Sequence, residues 1–491
     1  MFCQSLHLIL FGVLALILSF PAPAALAQLK IEARIEILPP AEGKSIVRVE
    51  GKINVAQNRW TFLDRYADVQ NLNQRVEQIE FFDSQNQTID FQKLNSSEYQ
   101  IANGAVAWAS EINLAVPAQI EQTAHISWLS KDYGLLMPGD LLPDLKNENG
   151  APVPAAISFV LPQNWTIVSS EKISGDNSFQ TADFTKAVFL AGNFSVETKL
   201  LGKTEIQLAR VGDWSFTAGE TLDLAIDLLT RYKNLFGAVP IDKIQIIMLP
   251  FAQKFGGEQW RAETRGSTVL ILSAVSPYKS RALSKLHEQL RHELFHLWIP
   301  NALRLSGNYD WFYEGFALYE ALKVGTAARY IRFEDFLDAL SRAFDITRSI
   351  SQNNNLNLLD ASRSRWSTGN NSDLVYAKGM LIAFLCDLTL LGESRGRRSL
   401  DNVFRQLFQQ HQNPSAIVNA NAAILAMLKS APQLQIIIEN FVEKPGAIEV
   451  EKLLTESGLQ NVSRGRFVRL QTQEKLSGRQ KKLLENFGYQ Q

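Results

Sequence analysis

Leu290-Arg-His-Glu-Leu-Phe-His-Leu-Trp298 is the most informative segment of this 491-residue chain. Its two histidines, His292 and His296, are four residues apart, so a helix places both imidazoles on one face. Leucines at helical spacing group on the roughly opposite side, which predicts a packing face separate from the chemical one. Two imidazoles can bind one zinc ion, and Glu293 beside them can act as a base on a water molecule. The segment therefore predicts a helix that carries part of a zinc site.

A third zinc ligand is available shortly downstream. Tyr309-Asp-Trp-Phe-Tyr-Glu-Gly-Phe-Ala-Leu-Tyr-Glu320 predicts a second helix with Asp310 as its N-cap. Glu314 falls in the first turn or so of that helix, and Gly315 leaves room for a close approach. Two histidines, one glutamate and a water form the open geometry of catalytic zinc, whereas a structural site would add a fourth protein ligand. We therefore expect one catalytic Zn²⁺ per chain, bound by His292, His296 and Glu314.

These two motifs resemble those of the gluzincin peptidases. The similarity is greatest to the glycyl aminopeptidase family, and next to the family of alanyl aminopeptidase and leukotriene hydrolase. The resemblance implies an α+β multidomain fold, in which an N-terminal antiparallel β domain precedes a thermolysin-like catalytic domain and C-terminal helices. It also implies peptide substrates.

Two further segments carry the resemblance to functional residues. Leu374-Val-Tyr-Ala-Lys-Gly379 is similar to the segment that supplies a tyrosine in the larger family, which implies that Tyr376 donates a hydrogen bond to the oxyanion. The alternative is that Tyr376 only caps an amphipathic helix.

The segment from Gly256-Gly257 to Val269 resembles the edge strand that lines the substrate cleft. There the aminopeptidases use a glutamate to bind the free ammonium group of the substrate. By this resemblance Glu263 is the amine anchor, with Glu258 as its competitor, and a third possibility is that neither serves. Thr264 stands where glycyl-type members commonly have a histidine.

The hydrophobic pattern divides the chain into four parts. Residues 1–27 are expected to form a signal peptide. Short alternating runs over residues 28–204 predict the β-rich domain, in which the isolated His125 is expected to be structural. Residues 205–400 are expected to form the zinc peptidase domain, opened by a capping box at Thr217 and Glu220. Residues 401–491 are expected to form a helical region with a basic tail.

The predicted signal peptide indicates export to the periplasm or the extracellular space. Residues 1–27 contain no charged residue, and the apolar run from Leu6 to Phe20 ends before Ala25-Leu26-Ala27, a small-x-small cleavage pattern. The alternative is an uncleaved N-terminal anchor. We expect no stable membrane span once the signal is removed, because the apolar run around Cys386 is consistent with a protein core.

Composition excludes a nucleic-acid-binding role. With 49 Lys and Arg against 50 Asp and Glu, the formal net charge of −1 provides no broad positive field.

Taken together, the motifs and the N-terminal segment predict an exported zinc metallopeptidase that acts as an aminopeptidase. One alternative is a zinc endopeptidase on the same site. The other is an exported binding protein that has lost catalysis, but the four motif residues are intact.

Overall fold

The computed structural model describes residues 28–490 except 40–43, 148–150, 254–257, 353–354, 415, 449 and 465–466. The predicted signal peptide and the Gly256-Gly257 pair lie outside the described residues. The first half of the described chain consists mainly of strands. In chain order these are β1 (Ile31–Ile37), β2 (Ile46–Thr61), β3 (Val76–Phe82), β4 (Phe91–Lys93), β5 (Glu98–Asn113), β6 (Trp128–Leu129), β7 (Tyr133–Leu136), β8 (Ala155–Val160), β9 (Thr166–Ser169), β10 (Lys172–Gly175), β11 (Ser178–Thr181) and β12 (Phe189–Gly192).

These strands form two sheets. The larger sheet has the order β10-β11-β8-β1-β2-β5-β3, with β4 also paired to β5, and the smaller has the order β6-β7-β12-β9. All pairs are antiparallel except β1 with β8. Strand β1 alternates between buried Ile, Ala and Ile side chains and outward Glu and Arg side chains, as expected for a sheet with one face on a core. The predicted β-rich N-terminal domain is confirmed.

A third sheet, of five strands, begins at residue 195. Its strands are β13 (Ser195–Leu201), β14 (Thr204–Arg210), β15 (Lys243–Pro250), β16 (Trp260–Arg265) and β17 (Thr268–Ser273), in the order β13-β14-β15-β17-β16. Strands β14, β15 and β17 are parallel, while β13 and β16 are antiparallel edge strands. Because β13 pairs with β14, this sheet starts about ten residues before the predicted boundary between residues 204 and 205.

Helices pack on this sheet and continue the chain to residue 394. They are α1 (Ala218–Phe236), α2 (Lys279–Phe295), α3 (Asp310–Ala327), α4 (Phe333–Ser351), α5 (Leu358–Arg363) and α6 (Gly369–Ser394), with the short strand β18 (Leu305–Ser306) between α2 and α3. The predicted capping box is present at the start of α1, where the Thr217 hydroxyl accepts from the Glu220 N–H and the Glu220 carboxylate accepts from the Thr217 N–H.

Helices α3 and α6 cross in direct backbone contact. A Cβ atom placed on Gly315 would lie 2.4 Å from Cα of Gly379, and one on Gly379 would lie 2.4 Å from the carbonyl oxygen of Trp311. The crossing therefore requires glycine on both helices, and it brings the start of α6 close to the start of α3.

Helix α6 is also long and apolar enough to cross a membrane, but its apolar stretch is almost entirely buried inside the fold.

The C-terminal part is helical with one β-hairpin. Its elements are α7 (Leu400–His411), β19 (Val418–Asn419), α8 (Ala420–Lys429), α9 (Pro432–Phe441), α10 (Glu451–Glu456), β20 (Leu459–Arg464), β21 (Phe467–Thr472) and α11 (Gly478–Glu485). The helical region was expected, and C-terminal helices are present. The basic tail was not expected to contain strands, yet β20 and β21 pair, and the Leu470 N–H donates to the Ser341 hydroxyl of α4 at 2.9 Å.

A charged cluster lies in the core between α3, α6 and α7. The Lys323 ammonium forms ion pairs with Asp387, at 3.0 Å, and with Asp401. Asp387 also accepts a hydrogen bond from the Leu400 N–H at 2.7 Å, which ties the start of α7 to α6. Glu320 is buried beside this cluster, and burial, followed by the charges of Asp401 and Asp387, raises its pKa to about 8 against the opposing charge of Lys323.

We expect Glu320→Gln to stabilise the protein at neutral pH. The native state keeps the Glu320 proton between pH 4.5 and 8, whereas the unfolded chain loses it near pH 4.5. The stability of the unmodified protein therefore falls as the pH rises through this window. Removing this ionisation should raise the free energy of unfolding by about 3 kcal/mol at pH 7, at about 1.4 kcal/mol for each pH unit between 4.5 and 7. Urea unfolding of both proteins at pH 4 and pH 7 measures this, and an equal difference at the two pH values would contradict it.

Candidate metal centre

The structure brings the three predicted zinc ligands together. His292 and His296 lie at the end of α2, and Glu314 lies in the second turn of α3. The two Nε2 atoms are 3.1 Å apart, and Oε2 of Glu314 lies 3.2 Å from Nε2 of His292 and 3.4 Å from Nε2 of His296. In the part of the chain that the structure describes, this is the one group of three side chains placed to hold a metal ion.

This triangle of atoms fits zinc. Ligands at 2.0–2.2 Å from a tetrahedral zinc ion lie about 3.4 Å apart, close to the separations observed here. The Nδ1 atom of His296 is 2.9 Å from the carbonyl oxygen of Ile299, and donating its proton there leaves Nε2 as an acceptor for the metal. Oε2 of Glu314 is buried and has no hydrogen-bond partner among the described residues. Burial raises the pKa of Glu314, but the charge of Arg365 and the two nearby imidazoles hold it well below its usual range.

Glu293 lies between the two histidines in the sequence, and its side chain contacts Thr264 of the edge strand β16. The Thr264 hydroxyl lies 2.7 Å from Oε2 of Glu293 and 2.8 Å from the Glu293 carbonyl oxygen. Burial raises the pKa of the Glu293 carboxyl, and the nearby histidines and Thr264 oppose that rise. A carboxylate with a raised pKa accepts a proton more readily, which suits a general base.

Tyr376, near the start of α6, reaches the same centre through Arg365. The guanidinium Nη2 donates to the Tyr376 hydroxyl at 2.6 Å, and Nη1 donates to Oε1 of Glu314 at 2.9 Å and to Oδ2 of Asp310 at 3.0 Å. Asp310 does not cap α3 as expected. Tyr309 occupies the cap position without a side-chain hydrogen bond, and Asp310 is the first helical residue.

Glu263 lies in the cleft, but its carboxylate is already bound on both oxygens. Oε1 accepts from the Tyr66 hydroxyl at 2.6 Å and from Nε and Nη2 of Arg265 at 3.2 and 3.1 Å, while Oε2 lies 2.6 Å from Nδ1 of His125. Burial raises the pKa of Glu263, but Arg265 and His125 outweigh it and lower the pKa to about 2. His125, expected to be structural, thus joins the β-rich domain to the edge strand of the cleft.

Glu258 lies before β16, at the opposite end from Glu263. It forms an ion pair with Arg281 and accepts from the Ser276 hydroxyl at 3.4 Å. It does not line the cavities around the zinc ligands.

The centre lies where two lobes of a cleft meet, each about 630 Å³ in volume. Both lobes are lined by His292, Glu293 and Tyr376. One lobe extends past Trp260 and Met380 toward α4, and the other extends past Glu263 and Tyr66 toward the β-rich domain. The centre is therefore open to both lobes.

The two histidines and the glutamate have the arrangement expected from the resemblance to gluzincins. Comparisons with known proteins show what the chain is similar to. Residues 65–188 match the model of the Peptidase M61 N-terminal domain. No curated protein sequence matches significantly.

Several solved structures share the fold at low sequence identity. An aminopeptidase N family protein from Idiomarina loihiensis has a TM-score of 0.71 and 14% identity, covering 88% of this chain and 79% of that one. An M1 zinc metallopeptidase from Deinococcus radiodurans has a TM-score of 0.54 and 12% identity, covering 86% and 97%. A variant of that protein bound to a Tyr-Ser-Ala substrate gives a TM-score of 0.53 and 14% identity, covering 85% and 95%. The resemblance to gluzincin aminopeptidases inferred from the sequence is confirmed.

Proposed function

We propose that the protein is a zinc-dependent peptidase that holds one Zn²⁺ per chain in a thermolysin-like catalytic domain. The observation that carries the proposal is the triangle of His292, His296 and Glu314 atoms, whose 3.1–3.4 Å edges match one face of a zinc tetrahedron. The structural neighbours named as zinc metallopeptidases support it. Zinc analysis of the purified protein, together with its hydrolysis of peptides before and after chelation, tests it.

The residues around the triangle are placed for peptide hydrolysis. Zinc, when bound, supplies a Lewis acid that acidifies a water molecule and polarises the scissile carbonyl. Glu293 takes the proton of the attacking water and later delivers it to the leaving amine. Thr264 holds Oε2 of Glu293, so that Oε1 is left for this proton. Tyr376 donates a hydrogen bond from its hydroxyl group to the oxyanion that develops on the scissile carbonyl.

Within this class we propose an aminopeptidase, in which Glu263 binds the substrate's free ammonium group. Glu263 stays ionised at neutral pH and lines the lobe that meets the centre. Its strand β16 lies at the edge of the sheet, with no described strand on its outer side, where an extended peptide can pair. Glu258 is a poor candidate for this role because Arg281 already pairs with it outside the cleft.

A zinc endopeptidase is the second candidate, and a specific observation favours it. The charge of Glu263 is already balanced by Arg265 at 3.1 Å, and the Tyr66 hydroxyl and His125 occupy its remaining oxygen positions. An ammonium group would have to displace one of these partners. The lobe beyond Glu263 is also open, whereas an aminopeptidase needs room for only one residue before the scissile bond.

Glu263→Gln separates the two candidates. If Glu263 anchors the amine, the substitution should lower kcat/KM for free-amine aminoacyl anilides about 10- to 100-fold, the range for a lost hydrogen bond between charged groups. N-acetylated analogues should be poor substrates of both proteins. Glu258→Gln is the matched control and should change neither series. Efficient cleavage of the acetylated substrates by the unmodified protein would instead favour the endopeptidase.

We also propose that the protein is exported and that it has three domains. The first boundary lies near residue 195, where β13 joins the five-stranded sheet, instead of after residue 204, and the second lies after residue 400. The uncharged, apolar N-terminus and its small-x-small pattern support export. N-terminal sequencing of the mature protein would locate cleavage after residue 27, and an intact Met1 would favour the uncleaved anchor.

A further inference from the structure

Arg365 is a buried cation at the centre of the site that neither sequence motif contains. Its side chain is only 5% exposed. It follows α5 and precedes α6, so it belongs to neither of the helices that carry the zinc ligands. Its planar group lies against two aromatic rings, with Cζ 4.2 Å from the ring centroid of Trp366 and 4.8 Å from that of Tyr376. These rings restrict the directions in which its N–H groups can point.

One side of the guanidinium binds only one of the two carboxylate oxygens of Glu314, the proposed zinc ligand. Nη1 holds Oε1 at 2.9 Å, while Oε2 faces the two histidines. A carboxylate with one oxygen committed to an arginine offers the metal a single oxygen. The protein then supplies three ligand atoms, which leaves a position open for water. Nη1 also bridges to Asp310, so the positive charge lies between two buried carboxylates one helical turn apart.

The other side of the guanidinium fixes the direction of the Tyr376 hydroxyl. Arginine has N–H donors and no acceptor, so in the 2.6 Å contact with Nη2 the Tyr376 oxygen must accept. The hydroxyl proton therefore points away from Arg365. A tyrosine placed without this contact could instead accept from water or rotate its proton away from the cleft.

From these contacts we propose that Arg365 is a positioning residue with two effects. It keeps Glu314 a zinc ligand through a single oxygen, and it orients the Tyr376 hydroxyl as a donor to the oxyanion. The inference rests on the proposed zinc peptidase function. A purely structural counter-ion for Asp310 and Glu314 would contribute to stability, but it would not act on catalysis through Tyr376.

The first test measures zinc binding, which is independent of turnover. We expect Arg365→Met to raise the zinc dissociation constant about 10- to 100-fold in competition with a chelator, the usual effect of losing an outer-shell partner. Arg405→Met is the matched control. Arg405 donates to the Leu235 carbonyl oxygen at 2.9 Å and lines neither lobe, so its loss should leave zinc affinity unchanged. Unchanged zinc affinity in Arg365→Met would overturn the effect on Glu314.

The second test is a double-mutant cycle with Tyr376→Phe at saturating zinc. Arg365→Met should lower kcat about 100-fold with little change in KM, within the range for loss of an oxyanion donor. In the Tyr376→Phe background the same substitution should cost less than about fivefold, because the group it orients is already gone. A full 100-fold loss in that background would overturn the effect on Tyr376.

A folding defect can be separated from these outcomes. Arg365→Met leaves Asp310 and Glu314 as neighbouring buried carboxylates, and adding Asp310→Asn removes the charge of Asp310 and with it the repulsion between the two. Both tests are repeated in the Asp310→Asn background, and the same pattern is expected there. If the unmodified protein binds zinc but cleaves no peptide, the proposed function fails, while the zinc-affinity comparison still decides the role of Arg365 toward Glu314.

Discussion

Glu293→Gln is expected to keep zinc bound at one ion per chain and to lower kcat about 10³-fold, within the range for loss of a general base. The glutamine side chain has the same shape and can still accept from the Thr264 hydroxyl, 2.7 Å from Oε2 in the unmodified protein. It cannot take the proton of the attacking water. The zinc ligands are three other side chains, so the metal content should not change. KM should change little, because the substituted group acts on the water and not on the peptide.

Glu320→Gln is the matched control for this experiment. It makes the same chemical change at a buried glutamate of α3 that lies outside both lobes of the cleft. Activity at pH 7 should be that of the unmodified protein. Metal analysis and kcat are measured for both variants with the best available peptide substrate. Full activity in Glu293→Gln would reject its role as the base, and loss of zinc would assign it a role in binding the metal.

The sequence was sufficient to predict the elements whose signals are local. The capping box at Thr217 and the alternation along β1 depend only on neighbouring residues, and both are present. Strand β13 shows what local pattern cannot supply. Its alternating sequence resembles the strands before it, and only its pairing with β14 assigns it to the next sheet. The hairpin of β20 and β21 was missed for a related reason, because its basic composition resembles that of an exposed helix.

The candidate site was predictable to the extent that its residues lie within short motifs. His292 and His296 share one helix, and Glu314 follows in the next, so their meeting could be anticipated. Arg365 lies 51 residues from Glu314, and no motif links them. One signal was present, since Asp310 and Glu314 are acids one turn apart at the start of an apolar helix and require a cation.

The partners of Glu263 were also beyond the reach of the sequence. Tyr66 and His125 come from the β-rich domain, and they contact Glu263 across 197 and 138 residues. An isolated histidine gives no indication of such a partner. Arg265 was adjacent, two residues along the same strand, and residues two apart share one face of a strand. That spacing was the available sign that the charge of Glu263 is balanced by a residue of the same strand.

Glu314→Ala is expected to weaken zinc binding more than about 100-fold, the upper figure for losing only an outer-shell partner. The substitution removes Oε2, one of three ligand atoms, and it leaves two histidines whose Nε2 atoms are 3.1 Å apart. It also removes one of the two carboxylates that pair with Arg365, which leaves less negative charge to attract a cation at the same place. Both changes act against the metal, so the loss should exceed that of Arg365→Met.

Chelator competition measures the zinc dissociation constant, and Glu314→Gln separates the two contributions to its change. Glutamine keeps a side-chain carbonyl oxygen near the histidines but no longer neutralises Arg365, so its affinity should lie between those of the alanine variant and the unmodified protein. Glu320→Gln, on the same helix, should bind zinc like the unmodified protein. If Glu314→Ala retains one zinc per chain with unchanged affinity, Glu314 is not a ligand, and the metal must be held by the histidines with another group.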